Sequence, residues 1–295
     1  MNKKTGHTNK KGMAEGFMGK GFFEGWYFKQ QVAGETVAFI VGRADSGAFV
    51  QVITDERSYH FGFPALYKDK KIVIGGCVFG ADGAVIELPD IHGELKFGEL
   101  TPLRSDIMGP FRFLPMQCRH GVISMRHTVE GKLQIGERCM SFDGGIGYIE
   151  KDSGCSFPKE YIWLQCNNFA AECSVIVSVA HIPFVAFSFT GCICAVTYAG
   201  LEYRFSTYQG VKILRADSEQ IYLSQGKYQL KIDIIKKGNA HALASPLCGK
   251  MLGVVREDNS AKARFKLIKN GRVLFDLTSE NVSFECVQRQ CKFGK

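Results

Sequence analysis

Gly21-Phe22-Phe23-Glu24-Gly25-Trp26-Tyr27-Phe28-Lys29 sets five aromatic side chains around a single carboxylate. Read as a β-strand, its side chains alternate between two faces. Phe22, Glu24, Trp26 and Phe28 then share one face, and Phe23 and Tyr27 take the other. Burying a charged carboxylate among aromatic rings is costly unless it is paired or protonated. Glu24 is therefore either anchored by a base such as Lys29 or Arg43, or kept as a neutral acid in apolar surroundings.

The same strand-like texture continues outward from this segment. Apolar stretches at 36–41, 48–53 and 71–74 are four to six residues long and sit between glycines and polar turns, which predicts strands. The pairs Asp82-Gly83 and Asn270-Gly271 favour tight hairpins. Strand signals recur at 201–208, 211–215, 228–235, 263–269, 273–277 and 282–287, and helical periodicity is scarce. The 33 glycines suit turns, bulges and close approaches. The chain reads as all-β, in two halves that meet near 150–165. Closed or nearly closed barrels would protect the strand edges and could enclose a ligand.

Of the net charge of +8, four units fall in the first twelve residues, which contain four lysines and no acid. The expected organisation is a disordered basic tail over 1–19, one β half over 20–155 and a second over 156–290. The remaining charge, 8 − 4 = +4, is low for nucleic-acid binding, and there is no arginine stripe or recognition-helix pattern. Attraction to an anionic membrane surface stays open. No apolar run reaches the ~18–20 residues of a spanning helix, and 175–196 reads as buried strands and turns. Eleven cysteines without a C-x-x-C pair fit reduced thiols in a cytoplasmic protein. No metal site is expected.

Two further regions concentrate chemistry. In Cys118-Arg119-His120-Gly121-Val122-Ile123-Ser124-Met125-Arg126-His127, strict alternation puts His120, Val122, Ser124 and Arg126 on one face. Ile123, Met125 and His127 take the other. The two imidazoles then have separate environments, suited to core hydrogen bonding, to proton handling or to orienting a polar head group. From Tyr161 onward, Tyr161, Trp163, Gln165, Asn167 and Phe169 share a face, while Ile162, Leu164 and Cys166 form an apolar one. The mixed face suits a largely apolar ligand with one polar end. Glu150 and Asp152 lie in the charged stretch just before it.

The segments FFEGWYFK, CRHGVISMRH and GYIEKDSGCSFPKEYIWLQCNNF resemble the tocopherol cyclase family. The weaker GELKFGELTPL and HALASPLCGKM are similar too, so the resemblance runs from about residue 20 to about residue 287. It implies two lipocalin-like β halves in tandem, related to carotenoid hydratases, and a lipophilic partner such as a prenylated quinol. It implies proton-initiated closure of a chromanol ring, with no cofactor. A carrier of an isoprenoid, or a hydratase or isomerase of a terpenoid, are the alternatives. On this reading Glu24, His120, Glu150 and Asp152 are the candidate catalytic groups. Trp26, Phe28, His127, Tyr161, Trp163, Gln165 and Asn167 would line the pocket. Two departures from the family pattern stand out. Gln117 replaces a Glu in a segment one residue shorter, and Ser153 replaces a Trp. The plastid-targeting extension of plant members is absent, which fits a bacterial, cytoplasmic protein.

Overall fold

The computed structural model describes residues 21–184 and 187–287. The basic segment 1–19 and Cys291 lie outside the described residues. The first sheet is built from β1 (Phe23–Val32), β2 (Glu35–Ala44), β3 (Gly47–Thr54), β4 (Ser58–Phe63), β5 (Tyr67–Lys68), β6 (Ile72–Ile74), β7 (Cys77–Phe79), β8 (Gly83–Leu88), β9 (Ile91–Phe97), β10 (Cys118–Ile135), β11 (Arg138–Ser141) and β12 (Gly145–Gly154). The second contains β13 (Tyr161–Cys166), β14 (Cys173–Phe184), β15 (Phe187–Tyr198), β16 (Leu201–Ser206), β17 (Lys212–Ala216), β18 (Gln220–Gln225), β19 (Tyr228–Lys236), β20 (Ala240–Leu247), β21 (Lys250–Lys269) and β22 (Arg272–Val287). Among the described residues, two short 3-10 turns, Gly109–Phe113 and Thr207–Gln209, interrupt this pattern. No helix among the described residues is long and apolar enough to cross a membrane.

The two sheets share one plan. In the first the order is β4-β3-β2-β1-β12-β10-β9-β8-β7-β6-β5, with β11 on β10. In the second it is β16-β15-β14-β13-β22-β21-β19-β18-β17, with β20 on β21. A four-strand meander thus opens each half, and the last strand of that half returns beside the first. Each sheet curls around its own core. Phe28, Phe39, Val50, Phe79, Ile86 and Leu133 belong to one core, and Ile162, Val177, Phe205, Leu230 and Phe265 to the other.

A third apolar cluster lies between the halves, where Tyr27, Ala38, Met125 and Tyr148 meet Tyr161, Trp163, Ile176 and Val255. This explains the unbroken apolar runs of the meanders. In β2, Val37, Phe39 and Val41 face their own core while Ala38 faces the other half, so both faces are buried. By contrast β8 alternates cleanly, with Ala84, Ile86 and Leu88 inside and Val85 and Glu87 outside. At Asn270-Gly271 both φ angles are positive, 50° and 76°, which is the demand of a tight hairpin turn.

Strict alternation fails in β10. Its pairing with β12 shifts register between Val122 and Ser124 and again between Ser124 and His127. Each extra residue reverses the faces that follow. Met125 therefore joins Val122 between the halves, while Ile123 packs on the first core. Phe169 also departs from expectation. β13 ends at Cys166, and the Phe169 ring packs edge-on to Phe265 of the second core, 5.0 Å between centroids.

Candidate active site

The site follows from strand register. β12 lies between β1 and β10, and its alternating Tyr148, Glu150 and Asp152 point toward the second half. Glu150 pairs with Tyr27 on one side and Val122 on the other, and Asp152 pairs with Gly25 and His120. In the second sheet Trp163 pairs with Glu285, and Glu285 pairs with Glu257. These two rows of side chains meet across a cavity of about 170 Å³ between the sheets. That volume compares with the ~150 Å³ void that takes up benzene. It has room for about one ring, and a longer ligand would extend beyond it.

Aromatic, Met and aliphatic side chains make up most of the wall. The ionisable groups in it are His120, Glu150, Asp152, Glu257 and Glu285, alongside the Tyr27 and Tyr161 hydroxyls and the Cys118 and Cys192 thiols. No Lys or Arg is among its described lining residues. His120 bridges two acids, with Nδ1 3.0 Å from Asp152 Oδ1 and Nε2 3.5 Å from Glu150 Oε2. Burial disfavours the imidazolium, but Glu150 and Asp152 outweigh it and raise the pKa to about 9. Glu150 also accepts from the Tyr148 hydroxyl at 2.6 Å and the Trp163 indole N–H at 3.3 Å. Burial nevertheless raises it to about 7, against the pull of His120.

Glu257 and Glu285 are a buried pair directly opposite each other on neighbouring strands, so their Cβ atoms are about 4.5–5.5 Å apart. Two like charges that close in low dielectric cannot both persist. Tyr27 donates to Glu257 at 2.5 Å, and Tyr161 donates to Glu285. Burial raises Glu257 to about 7. It drives Glu285 well above the carboxylate range, with the neighbouring Glu257 adding to the rise. The pair therefore retains a proton near neutral pH.

Of the residues singled out from the sequence, His120, Glu150, Asp152, Tyr161 and Trp163 converge on the cavity. Glu24 does not line it. Its carboxylate faces the other side of β1, 2.7 Å from Arg43, 3.1 Å from Lys151 and 3.6 Å from Lys68. Burial alone would raise its pKa, but Lys151, Arg43 and Lys68 hold it below its ordinary value. A group kept anionic in this way is no proton donor. Glu24→Gln should leave turnover within about threefold while lowering stability by about 1 kcal/mol, because a charge network is broken. A tenfold loss of kcat at unchanged folding would contradict this placement.

Trp26 borders the cavity, but its ring belongs to the first core, with Lys68 and Lys151 ammoniums 4.7 and 4.9 Å from its centroid. Phe28 and His127 also face the first half. The His127 ring lies 4.9 Å from Phe97, and burial lowers its pKa to about 4, so it is neutral. The close fit needs Gly147, where a Cβ would stand 2.2 Å from His127 Nε2. Gln165 and Asn167 are buried between the halves outside the cavity, and Asn167 donates to Gly147 O at 2.8 Å. Gln117 does not line the cavity either; its carbonyl accepts from Cys155 N–H at 3.0 Å.

Glu257, Glu285 and Tyr27 were not anticipated as site residues. The signal for Glu285 is nonetheless present. In Val282-Ser283-Phe284-Glu285-Cys286, Val282 and Phe284 are core residues, so Glu285 shares the opposite face with Ser283. The donor atoms of His120, Glu150 and Asp152 lie within 4.8 Å of one another, a grouping that could hold a cation. Here both imidazole nitrogens face carboxylates, Nδ1 in a hydrogen bond to Asp152 and Nε2 at ion-pair distance from Glu150, so one imidazolium stands between two acids.

Comparison with known proteins adds two findings. Residues 90–286 match the family described as Tocopherol cyclase-like. The tandem lipocalin-like architecture is shared with solved structures at low identity. CghA, solved with Sch210972, is 9% identical over 90% of this chain and 88% of its own, with TM-score 0.60. A putative AttH from Nitrosomonas europaea is 10% identical over 90% and 92%, with TM-score 0.51. Kievitone hydratase from Nectria haematococca is 9% identical over 93% and 92%, with TM-score 0.50. No curated protein sequence matches.

Proposed function

This chain belongs to the tocopherol cyclase-like family, and on that premise we propose that it closes a chromanol ring from a prenylated hydroquinone by proton-initiated addition. The observation that carries this reading is the Glu257–Glu285 pair, a proton-holding carboxyl dyad in the wall of a largely apolar cavity. Burial keeps one carboxyl neutral, as an acid that must protonate an alkene requires.

The proton passes from the dyad to the less substituted carbon of a trisubstituted alkene, forming a C–H bond and leaving a tertiary cation. The faces of Trp163 and Tyr27, whose rings lie 5.5 Å apart, stabilise the developing positive charge, as do the carboxylates nearby. The phenol oxygen captures the cation and gives up its proton to Glu150, whose pKa of about 7 suits a general base. His120, held charged by Asp152, fixes the Glu150 carboxylate. Product and substrate are isomers, so the step consumes no oxidant or reductant. Proton exchange with solvent restores Glu285 and Glu150.

The head group that suits this site is uncharged, because four carboxyl groups and a single cation line it. The test is incubation with a prenylated hydroquinone and chromatography of the products. A chromanol isomeric with the substrate is the expected result. A tertiary alcohol heavier by one water would instead mark a hydratase, and lipid recovered unchanged with every quinol would mark a carrier.

A further inference from the structure

Lys29 is fully buried between the halves, on the same face of β1 as Tyr27. Its ammonium donates to Ser283 Oγ at 3.0 Å, and Ser283 donates to Asn259 Oδ1 at 2.5 Å. The same Asn259 oxygen lies 3.5 Å from the Tyr27 hydroxyl, which donates to Glu257. All five residues of this chain of contacts are buried. It ends on one member of the acid pair and not on the other, since Glu285 is bonded instead by Tyr161 of β13.

A buried ammonium with one hydroxyl acceptor needs a further source of negative charge. The titratable groups facing it are the Cys166 thiol of β13, Glu257 of β21, Glu150 of β12 and Asp55 just after β3. Cys166 is held as a neutral thiol chiefly by burial. Of the carboxylates, Glu257 is the one reached from Lys29 through this line of buried polar contacts, although the Tyr27 hydroxyl spends its one hydrogen on Glu257 and only abuts Asn259. A positive charge at one end of a proton-sharing pair favours the anion nearer to it.

We propose that Lys29 is a positioning residue that breaks the symmetry of the dyad: its buried ammonium, held by Ser283 on the Glu257 side of the pair, keeps Glu257 ionised through its charge and so leaves the proton on Glu285. This assignment rests on the reading of the dyad as the proton donor and names which carboxyl does the work. Burial lowers the Lys29 pKa to about 8, so the ammonium is charged at neutral pH and the arrangement weakens above about pH 8.

The test does not need turnover. Full-length protein labelled at the glutamate carboxyl carbon is titrated by NMR, with Glu257 and Glu285 signals identified by their loss in Glu257→Gln and Glu285→Gln. In the unaltered protein Glu257 should titrate below Glu285. In Lys29→Met the Glu257 midpoint should rise by a unit or more, a tenfold gain in proton affinity. Lys29→Gln keeps a donor for Ser283, removes the charge alone, and should give the same rise if the Met variant does not fold. A Glu257 midpoint unmoved in the folded variants would overturn the assignment, as would Glu285 titrating first in the unaltered protein. Failure to convert any quinol, with the midpoint shifted as expected, would sink the cyclase reading and leave the role of Lys29 standing.

Discussion

Glu285→Gln should lower the rate of chromanol formation by ~10²–10⁴-fold, the usual contribution of a positioned general acid. The substitution keeps the shape of the side chain and still accepts from Tyr161, but it removes the transferable proton. Folding should be preserved, because a buried carboxyl already close to neutral exchanges for a neutral amide. Single-turnover product formation, beside an unchanged circular dichroism spectrum, gives the answer. A variant retaining more than a tenth of the activity would remove Glu285 from the chemistry. The same substitution at Glu257 should cost less, since that carboxyl sets the proton's location without delivering it.

Lys29→Met should be more stable than the unaltered protein by about 3 kcal/mol at pH 7. Burial depresses the folded-state pKa of Lys29 to about 8, against about 10.4 in an unfolded chain, and each unit corresponds to about 1.4 kcal/mol. The sign follows from proton binding. The unfolded state binds this proton more tightly, so the group destabilises the fold fully below pH 8. The penalty shrinks as pH rises and is gone above about 10.5. Urea unfolding at pH 7 and at pH 10.5 should therefore show a gap at the lower pH that closes at the higher one. Equal stabilities at pH 7 would contradict the burial of a charged ammonium. With the dyad result, this outcome would mark Lys29 as a residue held for function at a cost to stability.

The sequence carried the fold through local patterns that physics makes unambiguous. Asn270-Gly271 can only favour a tight turn, and β13 alternates between a core face and a site face with no interruption. His120, Glu150 and Asp152 were visible because they stand in compact motifs, and the pairing of β10 with β12 brings those motifs side by side. Other features depend on contacts between distant segments. Tyr27 and Glu257 are separated by 230 positions, and Tyr161 and Glu285 by 124. In strands buried on both faces, apolar pattern alone does not tell which face meets the partner half. Glu24 was conspicuous among aromatic residues, yet its face of β1 belongs to the first half, where Arg43, Lys68 and Lys151 surround it. The two register shifts in β10 leave no glycine or proline at the bulged positions, so strict alternation gave the wrong face for Met125.

The central claim is that ring closure begins with a proton from a buried carboxyl. The most direct measurement is conversion of a prenylated hydroquinone in D₂O, with the product analysed by mass spectrometry and NMR. One non-exchangeable deuterium is expected, on the ring methylene that was the less substituted alkene carbon, and its appearance should collapse in Glu285→Gln. A chromanol formed without deuterium at that carbon would contradict the account.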